Sequence, residues 1–218
     1  MEINEEFAEL IGVMFGDGCL SKYTHQKKYI IYIAGHKVDD FEYHDVNTRR
    51  LFRNIFNKEI KIDFRKKENA LFVRFSDKKI FHILELHGVA VGMKYEKLTI
   101  PSYIRNSEKL MYAFLRGLLD TDGSIVFSKQ HRNVPYYPRI EIASKSHTFL
   151  VEIMSFLREK GFYGSISKKL TNSRLEIPGT KNLSLWMGKI GFNNPKHLNK
   201  IKNGALGQNI VDLESISN

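Results

Sequence analysis

The chain has few of the residues that mark secreted, membrane-spanning or low-complexity proteins. It contains one cysteine, one tryptophan and five prolines in 218 residues. A single cysteine excludes a disulfide framework and a cysteine-based zinc cluster. The opening residues MEINEEFAEL form neither a basic region nor an apolar signal core. We therefore expect a soluble protein of the cell interior, in the cytoplasm or nucleoid, with no membrane partner.

Acidic residues are also in the minority. Lysine and arginine number 34 against 24 aspartates and glutamates, which gives a net charge of +10 and a pI near 9.5. This balance fits a nucleic-acid partner, although ribosomal and membrane-surface proteins are equally basic. At 42% hydrophobic residues, the chain can form one compact domain or two small fused halves, and it is not a disordered tail.

Two apolar segments repeat each other, at residues 7–20 (FAELIGVMFGDGCL) and 112–125 (YAFLRGLLDTDGSI). Each is predicted to form a helix that ends at Asp-Gly. At one offset of 105 positions, the matching pairs are Ala8 and Ala113, Leu10 and Leu115, Gly12 and Gly117, Gly16 and Thr121, Asp17 and Asp122, and Gly18 and Gly123. A duplicated helix with a terminal carboxylate predicts two pseudo-symmetric halves whose acids meet at the symmetry axis.

Small residues recur every four positions in both segments, so each helix carries a ridge that lets another backbone approach closely. The spacing is known from membrane helix dimers, but these runs are too short to span a bilayer, and Glu9 and Arg116 interrupt them. If the two ridges pack together, Asp17 and Asp122 lie side by side. Paired carboxylates require a proton or a cation between them, and Mg²⁺ suits such a site and binds phosphate.

The segments LIGVMFGDG (10–18) and LRGLLDTDG (115–123) resemble the two copies of the LAGLIDADG motif of homing endonucleases, and the likeness continues through most of the chain. The first copy departs at the sixth position, where Phe15 replaces the acid that Asp120 keeps. The family's metal ligand is the eighth position, so the resemblance implies that cleavage is unaffected. The alternative is a pair of ordinary core helices whose Asp-Gly ends are C-terminal turns.

The resemblance implies a monomeric, site-specific homing endonuclease that hydrolyses a phosphodiester in each strand of duplex DNA. Cutting would occur across the minor groove and leave 3′ overhangs. Mg²⁺, for which Mn²⁺ substitutes, would be held by Asp17 and Asp122 with the main-chain carbonyls of Gly16 and Thr121. In the family, a basic residue at the strand-to-helix turn contacts the solvent network at the cleavage site. Lys37 and Lys145 occupy such turns and are assigned this catalytic role.

Apolar alternation and turn residues predict the order αββαββα in each half. The predicted fold is α+β, with two pseudo-symmetric repeats, residues 1–105 and 106–218, forming a saddle of antiparallel sheets with helices on one face. Predicted strands are 19–22, 29–34, 59–66, 71–76, 124–129, 138–143, 163–169 and 174–177, and predicted helices after the motifs are 39–57, 78–86, 147–160 and 181–190. The tail after Lys202 is predicted to be the least structured part.

Basic residues collect at predicted outward strand positions and loop tips, interleaved with tyrosine, glutamine and histidine. Because a two-stranded β-ribbon fits the major groove, we expect the sheet faces to read bases and most lysines to bind phosphate. Each charge could instead only keep an exposed strand soluble. The predicted DNA contacts are Lys22, Tyr23, Gln26, Lys27, Lys28, Lys61, Arg65, Lys66, Arg74, Lys129, Gln130, His131, Arg132, Tyr137, Arg139, Lys168, Lys169 and Arg174.

Three other functions remain open. The same fold serves as an RNA maturase, for which intron RNA would be the partner, and some relatives regulate transcription without cleaving. Both acids are retained, which favours cleavage. A structural protein without nucleic acid is the third. The chain lacks a splicing Cys or Ser at its start and ends Ser-Ile-Ser-Asn, so we expect a free-standing or intron-encoded protein rather than a whole intein.

Overall fold

A computed structural model describes residues 2–94, 98–129, 136–168 and 171–206. The chain folds into two compact units. The first unit comprises Met1–Asp122 with Asn193–Pro195, and the second comprises Gly123–Phe192 with Lys196–Asn218. The first unit extends past the predicted repeat boundary at residue 105 because the second motif helix packs on the first motif helix. The division of the sequence into two repeats stays a prediction.

The first unit begins with helix α1 (Glu5–Gly16), which is capped by Asn4, whose side-chain oxygen accepts the Phe7 N–H at 3.0 Å. The next elements are β1 (Gly18–Tyr23), β2 (Lys28–His36), α2 (Phe41–Tyr43), α3 (Arg49–Phe56), β3 (Ile62–Phe64), β4 (Ala70–Ser76), α4 (Lys78–Leu86), α5 (Ser102–Arg105) and α6 (Glu108–Asp122). The four strands form one antiparallel sheet in the order β1-β2-β4-β3.

The second unit repeats this strand order. Its elements are β5 (Gly123–Ser128), β6 (Tyr137–Ser144), α7 (His147–Glu159), β7 (Ser165–Lys168), β8 (Ser173–Pro178) and α8 (Thr180–Lys189), and α9 (Pro195–Leu206) follows them. The sheet order is β5-β6-β8-β7, and every pairing is antiparallel. The predicted α+β class and the two antiparallel sheets with helices are confirmed.

One face of each sheet is covered by helices. In the first sheet, Ile31 and Val73 are buried and α4 packs against β2. In the second sheet, Ile142 and Leu175 are buried, α7 packs against β8 and α8 packs against β6. Side chains alternate between the two faces of a strand, so the intervening residues lie on the opposite side. We call that opposite side the outer face of each sheet.

The predicted helix over residues 39–57 is interrupted. A π-helical turn, His44–Thr48, separates α2 from α3. His44 and Thr48 are both buried, and their side chains lie 2.9 Å apart, Nδ1 to Oγ1, inside this turn. A π-helical turn inserts one extra residue and rotates the helix that follows it.

Most other boundaries differ from the predictions by one or two residues, and two differ by more. The strand predicted over 59–66 covers only Ile62–Phe64, because it is an edge strand that pairs with β4 over these residues alone. Helix α9 continues past Lys202 to Leu206, and the rest of the predicted unstructured tail lies outside the described residues. Within the described part of the chain, no helix is long and apolar enough to cross a bilayer.

Candidate metal centre and nucleic-acid interface

Helices α1 and α6 pack backbone against backbone at two glycines. A Cβ added at Gly12 would overlap the Phe114 carbonyl oxygen and lie 2.8 Å from the Leu118 nitrogen. A Cβ added at Gly117 would overlap the Glu9 carbonyl oxygen in the same way. The predicted contact through the small-residue ridges is therefore present, and it leaves no room for a side chain at either glycine.

The C-terminal ends of the two helices adjoin. A Cβ placed on Gly16 would lie 3.4 Å from the Asp122 Cβ and would overlap the Thr121 hydroxyl. Asp17 follows Gly16 directly, and its carbonyl accepts the Ala34 N–H at 3.1 Å, which starts the pairing of the β1–β2 hairpin. Helix packing thus places the end of α1, where Asp17 follows Gly16, beside Asp122. The role of both aspartates as metal ligands stays a prediction.

Lys94 places an ammonium group at these helix ends. Its Nζ donates to three main-chain carbonyls at the end of α1: to Phe15 at 2.8 Å, to Gly18 at 3.2 Å and to Gly16. Burial lowers the pKa of Lys94, and the nearby Asp122 and Asp17 oppose that shift. The Lys94 amine thus lies among these carbonyls and near both aspartate carboxylates.

The donor set fits a small, hard cation. Among the described residues, no group of three or more His, Cys, Asp or Glu side chains converges on one point. Two carboxylates with main-chain carbonyls are nevertheless the type of site in which Mg²⁺ keeps several waters and binds phosphate. The Lys94 amine donates to carbonyls at this place and lies near both aspartates, which oppose the lowering of its pKa by burial. In this structure the Gly16 carbonyl, a predicted metal ligand, bonds Lys94, and the Thr121 hydroxyl donates to the Gly117 carbonyl at 2.9 Å.

Asp120, the sixth motif position, lies in a buried network that the sequence did not reveal. Its Oδ2 accepts the Asn193 N–H at 2.8 Å, and its carbonyl accepts the Asn194 side-chain amide at 2.8 Å. Asn193 also donates its side-chain amide to Glu9 at 2.7 Å, and Arg116 pairs with the same carboxylate at 2.8 Å. Burial raises the pKa of Asp120 to about 7, against the backbone hydrogen bonds that lower it.

The network continues to the turn that carries Lys37. Asn194 donates to Asp40 at 3.0 Å, and the other Asp40 oxygen accepts the His36 N–H at 2.8 Å. Lys37 follows His36, and its N–H donates to the Asn69 carbonyl at 3.0 Å. Its ammonium lies 5.7 Å from the Phe64 ring centroid, at the edge of the first sheet. The catalytic role of this lysine stays a prediction.

Lys145 lies in the second unit, where the resemblance predicts the second turn lysine. It occupies the turn between β6 and α7, next to Ser146, whose hydroxyl accepts the Phe149 N–H at 3.3 Å and caps α7. The residue is exposed. Its catalytic role is likewise still a prediction.

The outer face of the first sheet combines aromatic rings with arginine. Tyr32 and Phe72 stack with centroids 5.9 Å apart and planes 20° apart. Arg65 donates to the Tyr32 hydroxyl at 3.2 Å, and Arg74 stands opposite Tyr32 in the β2–β4 register. Sequence reasoning identified the two arginines but missed the rings. Outward position in the alternation of β2 and β4 could have identified them.

Most residues predicted to contact DNA from the first sheet are exposed. This holds for the hairpin residues Tyr23, Gln26, Lys27 and Lys28 and for Lys61, Lys66 and Arg74. Lys22 departs from its predicted outward placement. It pairs in register with Tyr29, whose ring packs 5.3 Å from that of Phe81, and its ammonium lies 5.7 Å from the Tyr29 centroid. Lys22 therefore lies on the helix-covered face.

In the second sheet, Tyr137, Arg139 and Arg174 lie on the outer face, and Lys129 is exposed just after β5. Lys168 pairs with Ser173, which is buried, so its register position is on the helix-covered face, contrary to the outward placement predicted. The predicted contacts Gln130, His131, Arg132 and Lys169 lie outside the described residues.

Comparison with known proteins supports the interpretation of the motifs. Residues 109–191 match the family described as the LAGLIDADG-like domain. The solved structures similar to this chain include the homing endonuclease I-DmoI, at a TM-score of 0.60 and 18% identity over 86% of this chain and 95% of that one. I-DmoI in complex with DNA and Ca gives a TM-score of 0.62 at 16% identity, covering 91% and 97% of the two chains.

Three further proteins are similar to the chain. Full-length DUF199/WhiA from Thermatoga maritima matches with a TM-score of 0.60 and 16% identity, covering 97% of this chain and 63% of that one. The uncharacterized protein MJ0314 of Methanocaldococcus jannaschii is 30% identical over 166 residues, which is 75% of this chain and 57% of that protein. The replication factor C small subunit of the same organism is 29% identical over 162 residues, only 9% of its length.

The chain thus covers 57% of the length of MJ0314 and 9% of the length of the replication factor C small subunit. Residues 109–191 match the LAGLIDADG-like domain, and the chain has the fold of the homing endonuclease I-DmoI. The resemblance predicted from its two motif copies is confirmed.

Proposed function

We propose that this chain is a site-specific DNA endonuclease that makes a double-strand break by Mg²⁺-dependent phosphodiester hydrolysis. The observation that carries the proposal is that Asp17 and Asp122 lie at the adjoining ends of two glycine-packed helices, where the half-buried Lys94 amine donates to main-chain carbonyls. Duplicated acids at a site that accepts a cation are what metal-assisted cleavage of two strands requires.

In this proposal, Asp17 and Asp122 hold the metal, assisted by the carbonyls of Gly16 and Thr121. When bound, Mg²⁺ supplies charge stabilisation at phosphorus and lowers the pKa of the attacking water. Lys94 keeps the two carboxylates compatible before DNA arrives, because its ammonium offsets their mutual repulsion. Lys37 and Lys145 orient the solvent around the scissile phosphates. No side chain acts as a nucleophile.

Duplex DNA is the proposed partner. The net charge of +10 provides the attraction to phosphate, and I-DmoI, which shares the fold, has been solved in complex with DNA in the presence of Mn and of Ca. On the outer face of the first sheet, arginines lie beside stacked aromatic rings, which suits contact with phosphates and base edges. We further propose that the chain acts as a monomer inside the cell.

The test uses a library of randomised duplexes, incubated with protein in Mg²⁺ or in chelator. We expect wild type to cut a subset of duplexes in Mg²⁺ only, whereas Asp17→Asn and Asp122→Asn bind the same subset without cutting it. The control is Asp45→Asn, which removes one exposed carboxylate that pairs with Arg49 at 3.1 Å on the helical segment after β2. Full double-strand cleavage by either motif variant would overturn the assignment.

A second candidate is nucleic-acid binding without cleavage, either to DNA as a regulator or to intron RNA as a maturase. The observation that favours it is Lys94 itself, because an ammonium that bonds the Gly16 carbonyl could replace the metal permanently. Equal affinity in Mg²⁺ and in chelator, no cutting in either, and tighter binding of intron RNA than of duplex DNA would support the maturase. The same result with tighter binding of DNA would support the regulator.

A further inference from the structure

Four charged side chains meet on the outer face of the second sheet. Glu141 and Glu176 stand directly opposite each other on β6 and β8. Arg174 donates to Glu141 at 3.1 Å, and Arg139 lies 3.6 Å from Glu141 and 3.9 Å from Glu176. We call these residues the second-sheet charge cluster. Its two acids and two bases carry no net charge.

The cluster is a costly arrangement for a sheet that only needs to be stable or soluble. Like charges directly opposite each other destabilise an antiparallel pair. Glu141 is only 8% exposed, so its charge is largely desolvated. The Arg139 Nε is buried and has no hydrogen-bond partner among the residues that the structure describes. Apolar or hydroxyl side chains at these positions would avoid these costs.

The cluster also adds nothing to the attraction between this basic protein and phosphate, because its charges cancel. The cluster presents two guanidinium groups, each with paired N–H donors, beside two carboxylate acceptors. In the major groove, guanine exposes two acceptors, N7 and O6, which an arginine binds with both arms, and cytosine exposes an amino group that a carboxylate accepts. The cluster therefore matches the edge of a G·C base pair in both donors and acceptors.

We propose that the second-sheet charge cluster reads a G·C base pair, with Arg174 or Arg139 on guanine and Glu141 as the selector for cytosine. The ion pairs hold the side chains in place before DNA arrives. When one arginine moves to a base, the Glu141 carboxylate loses an ion-pair partner. Only a hydrogen-bond donor on the DNA can replace that partner. A base pair without that donor is rejected because a desolvated carboxylate is left poorly paired. This inference rests on the proposed DNA binding.

The experiment selects bound duplexes from the randomised library in chelator and sequences them. For wild type, we expect one or two positions where G·C is enriched. Glu141→Gln should lose that enrichment by about tenfold, bind non-selected duplexes more tightly, and show a salt dependence steeper by about one to two released ions, because two arginines become free for phosphate. The matched control is Glu159→Gln on α7, which removes the same charge from an exposed helical position and should change the base preference at no position.

Arg174→Lys is the second variant and avoids the buried carboxylate. It keeps the charge but loses the two-armed donor, so the guanine preference should fall while the salt dependence stays as in wild type. If Glu141→Gln lowers only the melting temperature and both variants keep the wild-type base preference, the cluster is structural and the inference is wrong. If wild type enriches no duplex at all, the proposed function fails, and the inference fails with it.

Discussion

The two motif helices repeat one sequence motif but differ in how their C-terminal ends are stabilised. At the end of α1, Phe15 packs edge-on against Phe114 at 5.2 Å, and the Lys94 ammonium bonds the last carbonyls. At the end of α6, Asp120 and its carbonyl are held by the Asn193 N–H and the Asn194 amide. The last carbonyls of a helix need donors from outside the helix. One copy uses a cation, and the other uses neutral amides.

The comparison shows which parts of the duplicated motif are interchangeable. Both copies keep the glycine contact and the terminal aspartate. The residue two positions before each aspartate is free to become a phenylalanine or a buried acid, depending on what packs there. We expect substitutions at the shared positions to harm both copies equally and substitutions at the differing positions to harm one copy only.

Exchanging the sixth-position residue should have the largest effect. Phe15→Asp removes a ring that is 2% exposed and buries a carboxylate against Phe114. We expect the free energy of unfolding to fall by about 4 kcal/mol or more, measured by urea denaturation. Phe15→Leu, a control that keeps an apolar side chain, should cost about 1 kcal/mol. A small loss for Phe15→Asp would mean that α1 can use the acid as α6 does.

Filling the shared glycine contact should come next. Gly12→Val and Gly117→Val each place a side chain where a neighbouring carbonyl oxygen lies, so we expect each to lower the free energy of unfolding by about 3 kcal/mol. The control is Gly188→Ala in α8, where an added Cβ meets nothing within 4 Å. That change should be neutral or stabilise by up to about 1 kcal/mol. Unequal losses at the two motif glycines would show that the contact is not symmetric.

Removing the cation should affect α1 alone. Lys94→Met deprives the carbonyls of Phe15, Gly16 and Gly18 of their donor, and we expect a loss of about 1 to 3 kcal/mol in chelator. If Mg²⁺ binds there, its addition should raise the melting temperature of the variant more than that of wild type. Lys79→Met removes an exposed lysine of α4 and serves as the control. An equal response of both proteins to Mg²⁺ would contradict a shared cation site.

The pH-dependent effect concerns α6 alone. Because burial raises the pKa of Asp120 to about 7, the folded chain keeps a proton that an unfolded carboxyl releases near its ordinary value of 3.8. The stabilisation is therefore complete below about pH 4 and is lost as pH rises to about 7. Relative to wild type, Asp120→Asn should gain stability over this range by up to about 1.4 kcal/mol per pH unit. A difference that stays constant with pH would mean that Asp120 is ionised throughout.

Most of the fold could be predicted from the sequence. At the candidate metal centre, the two aspartates could be predicted, but Lys94 could not. The alternation of strands such as Leu71, Val73 and Phe75 gave their inward faces, and the motif repeat located Asp17 and Asp122. Lys94 could not be found this way, because its place depends on how the chain after α4 returns to the end of α1. The position that matches it at the motif offset is Asn199, so the repeat gives no signal. Glu141 was overlooked because outward strand positions in a basic protein were expected to carry positive charge.

The place of Asn193–Pro195 in the first unit has a practical consequence for rebuilding the molecule. These three residues lie far along the chain, yet Asn193 and Asn194 donate hydrogen bonds to Glu9, Asp40 and Asp120. A fragment that stops at residue 122 would contain both motif helices but would leave the carboxylates of Glu9, Asp40 and Asp120 without these donors. Any chimera that exchanges the second unit must therefore carry the Asn-Asn-Pro sequence with it, since its hydrogen bonds belong to the part that stays behind.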